Sequence, residues 1–166
     1  MKKFLLIIAV MFAGISSAMA QTQKGEMGAG LNLLYGTEIK NLGIGAKYRY
    51  SISDEFRAEA TLDYYFKHDH CTMLDGNINF EYLLPINDTN FYTYPILGFG
   101  LGNHHFSAGG DNAKLVENTF IAGFNTGWGA EYYVTDKAAL TVEAKYQFFN
   151  KNCTQLCIGV GLVHKF

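Results

Sequence analysis

Apolar and polar residues alternate along most of this chain. From Glu26 to Tyr35 one face reads Met27, Ala29, Leu31, Leu33 and Tyr35, and the other reads Glu26, Gly28, Gly30, Asn32 and Leu34. Leu42, Ile44, Ala46, Tyr48 and Tyr50 oppose Gly43, Gly45, Lys47 and Arg49. Phe56, Ala58, Ala60, Leu62, Tyr64 and Phe66 oppose Arg57, Glu59, Thr61, Asp63 and Tyr65. The same rhythm sets Leu74, Ile78, Phe80 and Tyr82 against Asp75, Asn77, Asn79 and Glu81. It sets Phe120, Phe124, Trp128 and Tyr132 against Gly123, Asn125, Gly129 and Glu131, and Leu140, Val142, Ala144 and Tyr146 against Thr141, Glu143 and Lys145. A period of two residues predicts strands with one face in each environment. No helical period competes with it after residue 21.

Two segments carry extra information. In Phe91 to Gly102, Leu97, Phe99 and Leu101 oppose Gly98, Gly100 and Gly102, and the same register would put Tyr92, Tyr94 and Ile96 on the glycine side. Pro95 interrupts it, and proline, lacking an N–H, gathers at bulges. The expectation is a β-bulge near Pro95 that turns Tyr92 and Tyr94 onto the apolar face. The last segment, Gln155 to Phe166, alternates to its final residue.

The count is about eight strands, the smallest number that closes a membrane barrel. Their connections also alternate. Ser51 to Glu55, Pro85 to Asn90 and Thr135 to Lys137 are short turns. Gly36 to Lys40, His68 to Thr72, Asn103 to Asn118 and Asn150 to Thr154 lie at the other end, and the third of these is the longest. An even strand number puts both termini with the short turns.

Upstream, Lys2 and Lys3 precede an apolar run from Phe4 to Ala13 and a closing Ala18-Met19-Ala20. This is the layout of a secretory signal peptide, and the run is shorter than the ~20 residues a spanning helix needs. The chain therefore divides into a leader, residues 1–20, and one domain, residues 21–166. Its formal charge of −2 becomes more negative once Lys2 and Lys3 leave, which gives nucleic acid no reason to bind. Three cysteines enter an oxidising compartment. A bridge between Cys71 and Cys153 and isolated thiols are both open, whereas Cys153 and Cys157 on one extended segment lie too far apart.

Which face meets lipid follows from the charges. Glu26, Lys47, Arg49, Arg57, Glu59, Asp63, Asp75, Glu81, Glu131, Glu143 and Lys145 share the polar face, in both signs. Facing acyl chains near midplane, each basic residue would cost ~2–4 kcal/mol. The apolar face instead carries two aromatic bands, Tyr50, Phe56, Tyr82, Tyr132 and Phe166 near the short turns and Tyr35, Phe66, Phe120 and Phe148 at the far ends. Such girdles flank the aliphatic belt of a membrane barrel. The expected fold is an all-β, eight-stranded antiparallel up-and-down transmembrane β-barrel, with the ionic face inward.

GEMGAGLNLLYG, YPILGFGLG, FNTGWGAEYYVTDK and the closing GVGLVHKF, in that order, resemble the small OmpA/OmpX-type outer-membrane barrels of Gram-negative bacteria over the whole of residues 21–166. The resemblance implies residence among outer-membrane lipids. It also implies that Phe166 is read by the outer-membrane assembly machinery.

Candidate chemistry is sparse. An eight-stranded lumen is filled by side chains, so Glu59, Asp63, Glu131 and Glu143 read as paired scaffold before they read as acids or bases. His68 and His70, beside Cys71, are weak metal candidates whose spacing fits no established signature. Ser107 with His104, His105 and Asp111 is the one set from which a lipid acyl hydrolase could be built, and a loop would hold it loosely. No cofactor is expected. The reading is an outer-membrane barrel with a structural or surface-interaction role, any extracellular partner meeting the 103–118 loop. A narrow transporter of small or apolar solutes and a lipid-modifying enzyme are the alternatives.

Overall fold

The computed structural model describes residues 23–68, 71–86, 89–108, 115–150 and 154–166. Nine strands form among the described residues: β1 (Met27–Gly36), β2 (Asn41–Ser51), β3 (Phe56–His68), β4 (Cys71–Tyr82), β5 (Leu84–Pro85), β6 (Phe91–Ala108), β7 (Leu115–Thr135), β8 (Ala138–Phe149) and β9 (Thr154–Lys165). Sequence neighbours pair antiparallel except β4 and β5, which both pair with β6, and β1 joins β9. Among the described residues the ring of ladders closes, so each strand has a partner on both sides over the body of the wall. The two-residue β5 continues the line of β4 along β6, so the wall is eight strands around.

The alternation becomes the two faces of this wall. Leu31 and Phe99 are each 71% exposed on the outside, whereas Glu59 and Asp75 are each 1% exposed on the inside. A polar interior and a greasy exterior invert the arrangement of a water-soluble fold, and they suit acyl chains outside. Aromatics frame the outer face: Phe56 packs on Tyr82 with centroids 4.8 Å apart near the short turns, and Phe124 stacks on Phe148 at 4.7 Å toward the other end.

Pro95 does not make a bulge. The β6–β7 ladder runs unbroken from Phe91↔Tyr132 through Pro95↔Trp128 to Ala108↔Leu115. On the other side Glu81↔Ile96 and Leu84↔Thr93 stand three residues apart on both strands, so no residue is inserted. The missing N–H merely divides β4 from β5 at Leu83, whose own N–H bonds the Glu55 carbonyl instead. Tyr92 and Tyr94 accordingly point inward, 9% and 0% exposed. Gly129 lies opposite Tyr94 and leaves room for its ring, since a Cβ there would come within 2.2 Å of the ring edge. Register irregularities occur instead near strand ends, at Tyr65/His68 and Tyr133/Thr135.

The expected loops are also shorter than their polarity suggested. Residues 103–108 pair with 115–120, so most of the Asn103 to Asn118 segment is hairpin, not loop. Its backbone groups find partners across the hairpin whether or not the side chains are apolar. The β7–β8 ladder ends at Gly123↔Phe149, and β7 continues upward without β8 as a partner. Within the expected His68 to Thr72 loop, His68 pairs with Cys71.

Candidate functional site

Inside the barrel, side chains stack in four layers. At the short-turn end Leu83, Tyr92, Tyr94, Ile96, Tyr133 and Ala139 form an apolar floor. At the other end Leu34, Ile39, Tyr65, Met73, Ile121, Phe149 and Cys157 form an apolar roof. Ile39 reaches this roof from the turn between β1 and β2, where it is 6% exposed, beside Lys40 with φ of 52°. Between floor and roof lie an ionic layer and an amide layer.

The ionic layer centres on Arg49. Its Nε donates to Glu59 Oε2 at 2.7 Å, Nη1 to Glu131 Oε2 at 2.9 Å and Nη2 to Glu143 Oε1 at 2.7 Å. Arg57 donates through Nε to Glu81 Oε2 at 2.6 Å and through both terminal nitrogens to Glu131 at 3.0 Å. Lys47 Nζ bonds Glu143 Oε1 at 2.6 Å and approaches Glu59 Oε2 at 3.3 Å, and Lys145 Nζ lies 4.0 Å from Glu143 Oε2. Four cations thus meet four glutamates, all 6% exposed or less. Tyr94 joins the layer to the floor: it accepts from Arg49 Nη2 and donates to Glu143 Oε1, both at 3.1 Å. The Arg57 and Arg49 guanidinium carbons lie 5.0 and 5.7 Å from its ring centroid. Arginine suits this role because its planar fork serves several carboxylates at fixed angles.

Above it, Asp63 and Asp75 face each other across β3 and β4 and are served by neutral donors. Asn32 Nδ2 reaches Asp63 at 3.1 Å, Asn77 Nδ2 reaches Asp75 at 2.9 Å, and Gln147 Nε2 reaches Asp75 at 3.4 Å. Asn125 bridges Asn77 and Asn79, and Gln155 donates to Gln147 at 2.7 Å. Gly45 is required beside this layer, since a Cβ there would overlap the Asp63 carboxylate. Cys157 donates to Gln147 Oε1 at 2.9 Å and lies 2.8 Å from the Tyr65 hydroxyl, tying the layer to the roof.

The eleven charges singled out in the sequence therefore separate by layer. Eight form or border the ionic layer, Asp63 and Asp75 sit in the amide layer, and Glu26 lies at the mouth beside Lys165 Nζ, 2.9 Å away. Lys165 also sits 4.4 Å above the Tyr133 ring. Sequence reasoning passed over Lys165, the amide side chains and Tyr94. The amides occupied inward positions of the alternation and were findable there; Tyr94 was misplaced by the bulge expected at Pro95.

Three carboxylates, Glu59, Glu81 and Glu143, place oxygens within 4.8 Å of one another. Arg49 occupies the position among them that a cation would take, 2.7 Å from two and 4.0 Å from the third. The lumen has little room for a solute. Two interior cavities hold about 10 Å³ each, near the minimum for one water. A far larger concavity, about 710 Å³, lies on the outer wall around Leu31, Ile44 and Leu62. His70, Asp111 and Cys153, with the side chains of His68, Cys71, His104 and Ser107, lie outside the described residues, as therefore do the metal, disulfide and hydrolase expectations. Cys157 is buried and free.

Comparison with known proteins agrees with this architecture. A family model described as the outer membrane protein beta-barrel domain matches residues 5–166. The N-terminal β-barrel domain of Pseudomonas aeruginosa OprF superposes with a TM-score of 0.70 at 14% identity, covering 87% of this chain and 100% of that one. Ail, the attachment invasion locus protein of Yersinia pestis, gives 0.62 at 17%, covering 87% and 100%. Neisserial surface protein A gives 0.64 at 15%, covering 85% and 96%. At these identities the likeness is one of fold. No curated protein matches the chain in sequence.

Proposed function

The chain belongs to the outer-membrane β-barrel family and is an outer-membrane protein, and from that premise we propose that it is a non-conducting scaffold presenting its β6–β7 hairpin at the cell exterior. The observation that carries this reading is the closed stack of the lumen: a paired ionic layer and an amide layer held between two apolar layers. A hydrated ion on the axis would have to break Arg49 from three carboxylates and displace Tyr94. Loops and hairpins on a rigid scaffold are where recognition residues gather, and β7 extends well past its last contact with β8. No catalytic role is proposed. Export through residues 1–20 and insertion through β9 and the Phe166 that follows it complete the reading, with any extracellular partner meeting the 103–118 segment.

The test is solute flux. Purified protein reconstituted into liposomes is expected to admit neither small sugars nor amino acids above the protein-free control, and to give no unitary conductance in planar bilayers. Concentration-dependent uptake or stepwise currents by the unmodified chain would overturn the reading in favour of a narrow transporter.

A further inference from the structure

At the end of the barrel opposite the short turns, the ladders continue past the roof, and their backbone register gathers residues of metal-binding type. Cys71 of β4 stands directly across from His68 on β3 and from Phe106 on β6. His104 of β6 pairs with Met73, two residues along from Cys71, and is therefore the diagonal neighbour of Cys71. Glu117 of β7 pairs with Phe106 and is in turn diagonal to His104, which pairs with Thr119. Directly opposed residues share a face of a sheet, as do residues two apart on one strand. That face is the inner one, because Met73 and Ile121 lie on it in the roof at 1% and 0% exposure. His68, Cys71, His104 and Glu117 thus occupy lumen-side positions just above the roof, one on each of four neighbouring strands of the wall.

The place of His68 in this set depends on a bulge. Regular pairing beyond Tyr65↔Met73 would set Lys67 opposite Cys71, but the register shift adds one residue to β3 and brings His68 to that rung. Bulges at barrel rims change which residue a strand presents at a given position. Here the change exchanges an ammonium, which has no lone pair to give, for an imidazole.

The donor types fit one class of ion. Opposed residues lie ~5 Å apart and diagonal ones ~7–8 Å, within the span of long side chains. Imidazole, thiolate and carboxylate are the ligands of Zn²⁺, which takes four in a tetrahedron, whereas Ca²⁺ and Mg²⁺ prefer oxygen. One thiolate and one carboxylate also balance the two charges of the ion. All four are strand positions, which hold a ligand set more closely than a loop does.

We propose that His68, Cys71, His104 and Glu117 bind a Zn²⁺ ion at the mouth above the roof. The inference stands apart from whether the lumen conducts.

Mature protein in detergent micelles, stripped of metal, tests it by Zn²⁺ titration in competition with a chromophoric chelator. One ion per chain is expected. Cys71→Ser and His104→Ala are each expected to weaken binding about tenfold or more, since even a hydrogen-bond partner of a ligand is worth that much. His164→Ala, at the opposite end of the barrel, and Cys153→Ser are expected to bind like the unmodified protein. Co²⁺ in place of Zn²⁺ is expected to give a thiolate-to-metal absorption band in the unmodified protein that Cys71→Ser lacks, a readout that a loss of stability alone does not imitate. No saturable Zn²⁺ binding by the unmodified protein would overturn the proposal, as would affinities that Cys71→Ser and His104→Ala leave unchanged. So would a Cys71–Cys153 disulfide, found by mass in protein isolated without reductant, because it consumes the thiolate.

Discussion

β2 carries two solutions to two environments on alternate residues. Its outer residues Ile44, Ala46, Tyr48 and Tyr50 are exposed on the lipid-facing wall, with nothing more specific asked of them than apolarity and size. Its inner residues Lys47 and Arg49 are 4% and 3% exposed, and between them contact Glu59, Glu131 and Glu143 from three other strands. The outer face is satisfied by composition, because contact with acyl chains has no direction. The inner face is satisfied only by geometry, because each buried charge must meet a partner at hydrogen-bond distance.

The contrast can be broken from the inside first. Arg49→Met leaves Glu59, Glu131 and Glu143 without their common partner, and removing one member of a buried ionic set costs about 3–5 kcal/mol. Urea unfolding in lipid vesicles is expected to show that loss; a change below about 1 kcal/mol would mean the ionic layer is not closed in the folded protein. On the outside, Leu31→Arg puts a charge into the belt and is expected to cost ~2–4 kcal/mol by the same measurement. No loss would place that strand face in water.

Smaller effects sharpen the comparison. Tyr94→Phe keeps the ring that fills the space opposite Gly129 but removes the hydroxyl bonds to Arg49 and Glu143, for an expected loss of about 1–3 kcal/mol. Were Tyr94 instead turned outward by a bulge, the same variant would be neutral. Gln147→Leu, in the neutral amide layer, is expected to lose about 1–2 kcal/mol, less than Arg49→Met because no full charge is stranded. Last, Leu31→Ile on the outer face is expected to stay within about 0.5 kcal/mol, the usual range for a substitution that touches no specific partner.

Particular residues show how far the sequence could be read. The alternation that separates Leu31 and Leu33 from Asn32 and Leu34 places each on the face it occupies, including the buried Leu34. It failed at Tyr94, because the rule that keeps proline out of ladders weighs one missing N–H and ignores what stands across the strand. Gly129 is thirty-five residues away in sequence, and only the register makes it the neighbour that accommodates the ring. It failed again at Asn103 to Asn118, where polar side chains suggested a loop but the backbone pairs anyway. Polarity tells which side of a boundary a segment occupies, not whether its amides find one another.

By itself, then, the order of residues determined the strands, the greasy and ionic faces, and hence the inside-out barrel, because all three follow from a two-residue period and the cost of placing charge against hydrocarbon. Which acid meets which base was decided only by closure. Arg49 and Glu131 are eighty-two positions apart and become partners because eight staggered strands bring their inner faces to one level. Pairing of that kind depends on strand order and stagger, quantities carried by the whole ring of ladders and by no single segment of it.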